Sequence, residues 1–103
     1  MRPYDKRLLE AIKTVENPTV GHMLARVCLT ANIPVTHVAH ALEVTRMTVH
    51  LWYRGGEIRR SNRQMITLFM EYVLRDTVSG RLPAKSLEDA TAYIVDLTGV
   101  PMK

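Results

Sequence analysis

Apolar residues return every three or four positions along most of this chain, the spacing that lines one face of an α-helix. Leu8, Ile12 and Val15 form a first stripe and predict a helix over 6–16. Asp5 is its expected N-cap, Tyr4 can staple against Leu9, and Asn17-Pro18 stops it. A second helix is expected over 20–32, capped by Thr19, with Val20, Met23, Leu24, Val27, Cys28 and Ala31 on one side. Pro34 suits the first turn of a third helix over 34–42. A fourth over 45–54 ends at Gly55-Gly56. Ser61 and Gln64 predict a capping box for a long helix over 62–78. Met65, Ile66, Leu68, Phe69, Met70, Tyr72, Val73 and Leu74 cover most of its circumference, so it must be buried on more than one side. One side packs on the preceding helices, and the other needs a C-terminal helix or a second copy of the chain. Ser79-Gly80 and Pro83 read as a linker. A C-terminal helical element follows over 84–98, with a capping box at Ser86 to Asp89 and a narrow stripe of Leu87, Ala90, Ile94 and Leu97. Gly99 and Pro101 close it. No strand signal or repeat is visible. The expectation is one all-α domain over 1–103, with a core at about 20–78 and about six helices.

Residues 36–55, THVAHALEVTRMTVHLWYRG, carry the most information. Val38, Ala39 and Leu42 share one helical face, and Val49 and Trp52 share another. Val44 lies between them, where a turn needs an apolar plug. Ala39 is small where two helices crossing steeply bring their backbones close, and Thr45 can cap the helix that follows. Two short helices joined by a tight turn are the pattern of a helix-turn-helix, whose second helix enters the DNA major groove.

The segment resembles the helix-turn-helix of the lambda-repressor/Cro (XRE-type) superfamily, in which Leu-Ala-x-x-Leu-Gly-Val-Ser precedes a helix ending in Trp-Glu-x-Gly. This chain has Val38-Ala39-His40-Ala41-Leu42-Glu43-Val44-Thr45 and then Trp52-Tyr53-Arg54-Gly55. Upstream, Val20-Gly21-His22-Met23-Leu24-Ala25-Arg26 resembles the family's first helix, and the likeness covers about residues 20–75. Three positions depart from it. Glu43 stands where Gly is usual, and a left-handed backbone there would cost roughly 1 kcal/mol. Val35 replaces a Gln that could contact phosphate, and Tyr53 replaces the frequent Glu. The resemblance implies a lambda-repressor-like bundle in which the helix over 6–16 is an addition. It also implies base contacts from Arg46, Met47, His50 and Leu51, with Val49 and Trp52 turned into the core.

Chemistry supports the first of these. Arg46 at the helix tip can bond guanine O6 and N7 together, Met47 and Leu51 can pack on a thymine methyl, and His50 can bond a base edge or a phosphate. Thr45, Arg54, Arg59, Arg60 and Arg63 are the expected phosphate contacts, with Thr36 and His37 near the start of the preceding helix as further ones. Charge strengthens this. Five arginines and one acid, Glu57, lie between Arg46 and Arg63, while the rest of the chain carries equal numbers of Lys/Arg and Asp/Glu. The whole formal excess of +4 therefore sits on the expected recognition helix and the loop behind it.

Other chemistries find little support. His37 and His40 lie three apart, but no Cys/His set accompanies them to complete a zinc site, so no metal or cofactor is expected. The carboxylates are scattered, no Gly-rich phosphate loop occurs, and no Ser/His/Asp arrangement stands out, so no enzyme is expected. The single Cys28 reads as a small core residue and fits a reducing cytoplasm. No apolar run approaches the ~20 residues needed to span a bilayer, and no signal peptide is visible, so no membrane partner is expected.

The expected partners are double-stranded DNA and a second copy of the chain. The reading is a sequence-specific transcriptional regulator, a homodimeric repressor of phage, plasmid or mobile-element type. A DNA-binding assembly component, such as a small packaging subunit or partition adaptor in a higher oligomer, is the alternative. A third possibility is an interaction module such as an antitoxin.

Overall fold

Five α-helices follow one another through residues 19–102, the part of the chain that the computed structural model describes. They are α1 (Val20–Ala31), α2 (Val35–Leu42), α3 (Arg46–Tyr53), α4 (Arg60–Val78) and α5 (Leu87–Thr98). No strand occurs among the described residues, so the fold is all-α. The helix expected over 6–16 lies outside the described residues.

Local chemistry sets the ends of α1. The Thr19 hydroxyl accepts from the His22 amide at 3.2 Å, and the His22 Nδ1 accepts from the Thr19 amide at 3.1 Å. This reciprocal cap answers two of the free donors of the first turn. At the other end Asn32 turns left-handed, with φ 59° and ψ 42°, while the Ile33 amide bonds the Cys28 carbonyl at 3.0 Å. The Asn32 side chain then donates to the Ala84 carbonyl at 2.7 Å, and the Ala84 amide to the Ala31 carbonyl at 2.9 Å. A stretch of the expected linker is thereby pinned to the end of α1. Leu82 of that linker and Ala84, expected to open the last helix, are buried in the core, and the helix itself begins at Leu87.

The inward face of α1 is Gly21, Leu24, Ala25, Cys28 and Ala31. Met23, expected inside, is exposed. The face is rotated because the smallest residues, Gly21 and Ala25, turn toward the neighbouring helices and allow the close approach that Met23 would block. Helix α1 packs on both α3 and α4, and α2 packs on α3 and α5. The core joins Leu24, Val38, Val49, Trp52, Ile66, Phe69, Val73 and Ile94.

Two helix starts differ from expectation. The long helix begins at Arg60, with Arg59 as N-cap and no side-chain cap, so Ser61 already lies inside the helix and forms no capping box. Buried Ile58 anchors the preceding loop, which lets the helix start directly after it. At α5 the Ser86 hydroxyl accepts from the Asp89 amide at 3.0 Å as expected, but the Asp89 carboxylate accepts from the Lys85 amide at 2.9 Å, one residue further back. The inward face of α5 includes Tyr93, and Leu87 is exposed. The Tyr93 hydroxyl donates to Asp76 Oδ2 at 2.7 Å and ties α5 to the last turns of α4.

Candidate nucleic-acid interface

The turn between α2 and α3 is built from the residues that the sequence singled out. Glu43 is left-handed, with φ 57° and ψ 43°. Its amide bonds the His40 carbonyl at 3.3 Å, and the Val44 amide bonds the Ala39 carbonyl at 3.0 Å. This pair of bonds satisfies the last carbonyls of α2 and reverses the chain within two residues. Val44 packs against the core, and Thr45 caps α3 by accepting from the Thr48 amide at 3.1 Å. At the far end of α3, Gly55 takes φ 89°, its amide bonds the Trp52 carbonyl at 2.9 Å, and the Gly56 amide bonds that of Leu51 at 2.8 Å. The start of α3 is therefore fixed by a side-chain cap and its end by main-chain hydrogen bonds.

With Val49, Trp52 and Tyr53 buried, the opposite face of α3 is turned outward. Arg46 is exposed, Met47 is 73 % exposed and Leu51 is 53 % exposed. His50 is half-buried, and its Nδ1 is enclosed with no hydrogen-bond partner. Exposure of large apolar side chains at such levels on an eight-residue helix is a feature to explain.

The cations around this face have no partner among the described residues. Arg46, Arg54, Arg59, Arg60 and Arg63 are all exposed, and no guanidinium group of the five forms an ion pair or hydrogen bond with a described residue. Elsewhere Arg75 pairs with Asp76, and Arg81 pairs with Asp89 at 2.9 Å and stacks on the Tyr93 ring. The helix starts divide in the same way. Side chains cap α1, α3 and α5, whereas α2 and α4 begin at Pro34 and Arg59 without a side-chain cap. Their leading amides, next to exposed Thr36 in one case and to Arg60 and Arg63 in the other, are suited to oxyanions.

One expected phosphate contact is removed. His37 is 5 % exposed, and its Nε2 lies 2.8 Å from the Thr91 hydroxyl of α5. That hydroxyl donates to the Leu87 carbonyl at 3.0 Å, so it accepts from His37 Nε2–H. The His37 Nδ1 then carries a bare lone pair with no partner. The arrival of α5 over α2 covers the face expected to be open. Burial, then the neighbouring His40, lower the His37 pKa below its ordinary value. His40 bonds the Val100 carbonyl through Nε2 at 3.1 Å, so these two imidazoles hold the C-terminal segment against α2.

Three structural roles lay outside the sequence reading. Val35, which the resemblance set apart as replacing a Gln, is buried. Tyr53 is 1 % exposed and hydrogen-bonds the Cys28 thiol, whose pKa burial pushes up to about 12. Cys28 is thus an inert core residue. The His22 ring lies against Gly55, where a Cβ would come within 2.7 Å of it. Only the packing of α1 on α3 brings these pairs together.

A second surface feature is an apolar groove of about 750 Å³ between α2, α4 and α5. Val44, Met65, Leu68, Tyr72, Leu97 and Val100 line it. No helix of the described residues is long and apolar enough to cross a membrane. In comparisons with protein-family models, curated proteins and solved structures, nothing matches this chain.

Proposed function

We propose that this protein is a sequence-specific double-stranded DNA-binding regulator of the lambda-repressor/Cro type, acting as a homodimeric transcriptional repressor. The observation that carries the reading is the outward face of α3, open along Arg46, Met47, His50 and Leu51 and accompanied by five guanidinium groups that no described residue neutralises. A polyanion is the partner that such cations need, and a rod of helix with an exposed leading tip fits a groove of B-DNA. The uncapped starts of α2 and α4 add main-chain donors for phosphate.

The proposed division of labour gives base reading to Arg46, Met47, His50 and Leu51. Phosphate contact falls to Thr36, Thr45, Arg54, Arg59, Arg60 and Arg63. Thr45 serves both helix and ligand, because its hydroxyl caps α3 and remains exposed. One such helix covers few base pairs, so a second copy doubles the site, with half-sites about 34 Å apart. The groove rimmed by Met65 and Leu68 is the surface assigned to that second copy, and repression follows from occupying a promoter.

Selecting retained sequences from random duplex DNA tests the proposal. A palindromic consensus supports both recognition and two-fold symmetry. No enrichment over the starting pool, at low salt and high protein concentration, overturns it.

A further inference from the structure

Resting on that DNA-binding reading, we propose that α3 reads the keto bases, guanine and thymine, and that Met47 and Leu51 recognise thymine methyl groups. The helix sequence from Arg46 to Tyr53 contains no Asn, Gln, Asp or Glu. The outward groups of Arg46 and His50 are donors. Arg46 offers only N–H groups. In His50 a proton on the enclosed Nδ1 would be a buried donor without an acceptor, which is less favourable than a bare lone pair there. The proton therefore sits on Nε2, which is not enclosed and makes no hydrogen bond with a described residue. Thr48, the remaining polar side chain of the outer half, is half-buried and shares a 2.9 Å hydrogen bond with the Thr45 hydroxyl.

This inventory selects one side of the major-groove code. Guanine shows two acceptors, and thymine shows one acceptor and a methyl group, whereas the cytosine and adenine amino groups need an acceptor, for which the outer face of α3 offers the half-buried Thr48 hydroxyl, already engaged with Thr45. Met47 and Leu51 are four residues apart and so adjoin on one helical face. Together they form an exposed apolar strip one turn long beside Arg46 and His50. No described residue covers that strip, and a thymine methyl is the apolar group that a base edge can offer it.

The test uses a half-site obtained by selection from random duplex DNA, with each thymine replaced in turn by deoxyuridine. Loss of a contacted methyl should weaken binding about fourfold, the transfer value of one buried methyl group (~0.8 kcal/mol). In Met47→Ala or Leu51→Ala the thymine–uracil difference should vanish at one position while the duplex is still bound. Both side chains are largely exposed, so neither change threatens folding. If the duplex binds equally with uracil at every thymine, the methyl-reading proposal is overturned and the DNA-binding reading stands. If no duplex is retained at all, both are overturned.

Discussion

Gly21 of α1 lies directly against the backbone of Trp52 in α3, so closely that a Cβ at position 21 would fall 2.0 Å from the Trp52 carbonyl oxygen. The outward presentation of α3 depends on this crossing, because burying Trp52 turns Met47 and Leu51 to solvent. Gly21→Ala would gain about 1 kcal/mol of helix propensity. The clash is with main chain, which cannot swing aside, and overpacking of this kind costs up to about 3 kcal/mol or more. The net expectation is a loss of about 2 kcal/mol, read as a lower urea midpoint. Unchanged stability would show that the crossing is loose.

Glu43 makes the opposite case. Its left-handed backbone is required by the turn into α3, and a side chain there costs about 1–2 kcal/mol, part of which glycine returns through its freer unfolded chain. Glu43→Gly should raise stability by about 0.5–1 kcal/mol in thermal or urea melts. A destabilised Glu43→Gly protein would mean that the carboxylate has a role that the backbone geometry does not reveal.

His37 makes stability depend on pH. Burial lowers its folded-state pKa below the ordinary 6.5, so the unfolded chain takes up the proton first as pH falls. Its contribution is complete above that value, declines as pH drops through 6.5, and levels off below the folded-state pKa. The slope in that window is at most about 1.4 kcal/mol per pH unit. Urea midpoints of the wild type and His37→Gln, measured from pH 7.5 to 5, should diverge in this way. Parallel curves would exclude the mechanism.

Arg46 and Arg60 should separate the two kinds of DNA contact. Arg46→Ala is expected to relax preference at one position of each half-site, with a loss of about 1–3 kcal/mol of discrimination. Arg60→Ala should weaken all sequences alike and reduce the slope of log affinity against log salt by about one. Binding titrations on selected and scrambled duplexes at several salt concentrations check both. If Arg46→Ala leaves base preference intact, the assignment of α3 as the reading helix fails.

Leu68 tests the second copy. It is 45 % exposed on the wall of the apolar groove, so Leu68→Glu should leave the fold intact and place a charge at the proposed contact. Sedimentation should show a dimer for the wild type and a monomer for the variant. A wild-type monomer at tens of micromolar would remove the groove from the proposal, and a dimeric variant would move the contact elsewhere.

The sequence alone determined the elements nearest to their own chemistry. Thr19, Thr45 and Ser86 were readable as caps, Gly55 and Gly99 as stops, and Val49 and Trp52 as inward positions, because each signal depends on residues within one or two turns. The clustering of arginines around α3 was legible for the same reason. Tertiary structure decided what packing alone can set. It covered His37 with α5, drew Leu82 of the linker and Ala84 beside it into the core, turned Met23 out in favour of Gly21, and joined Tyr53 to Cys28. A helical pattern shows that a residue has an apolar or polar neighbour four positions away. It does not show which distant helix arrives on that face, and that arrival decides whether a polar side chain meets water or a hydroxyl inside the protein.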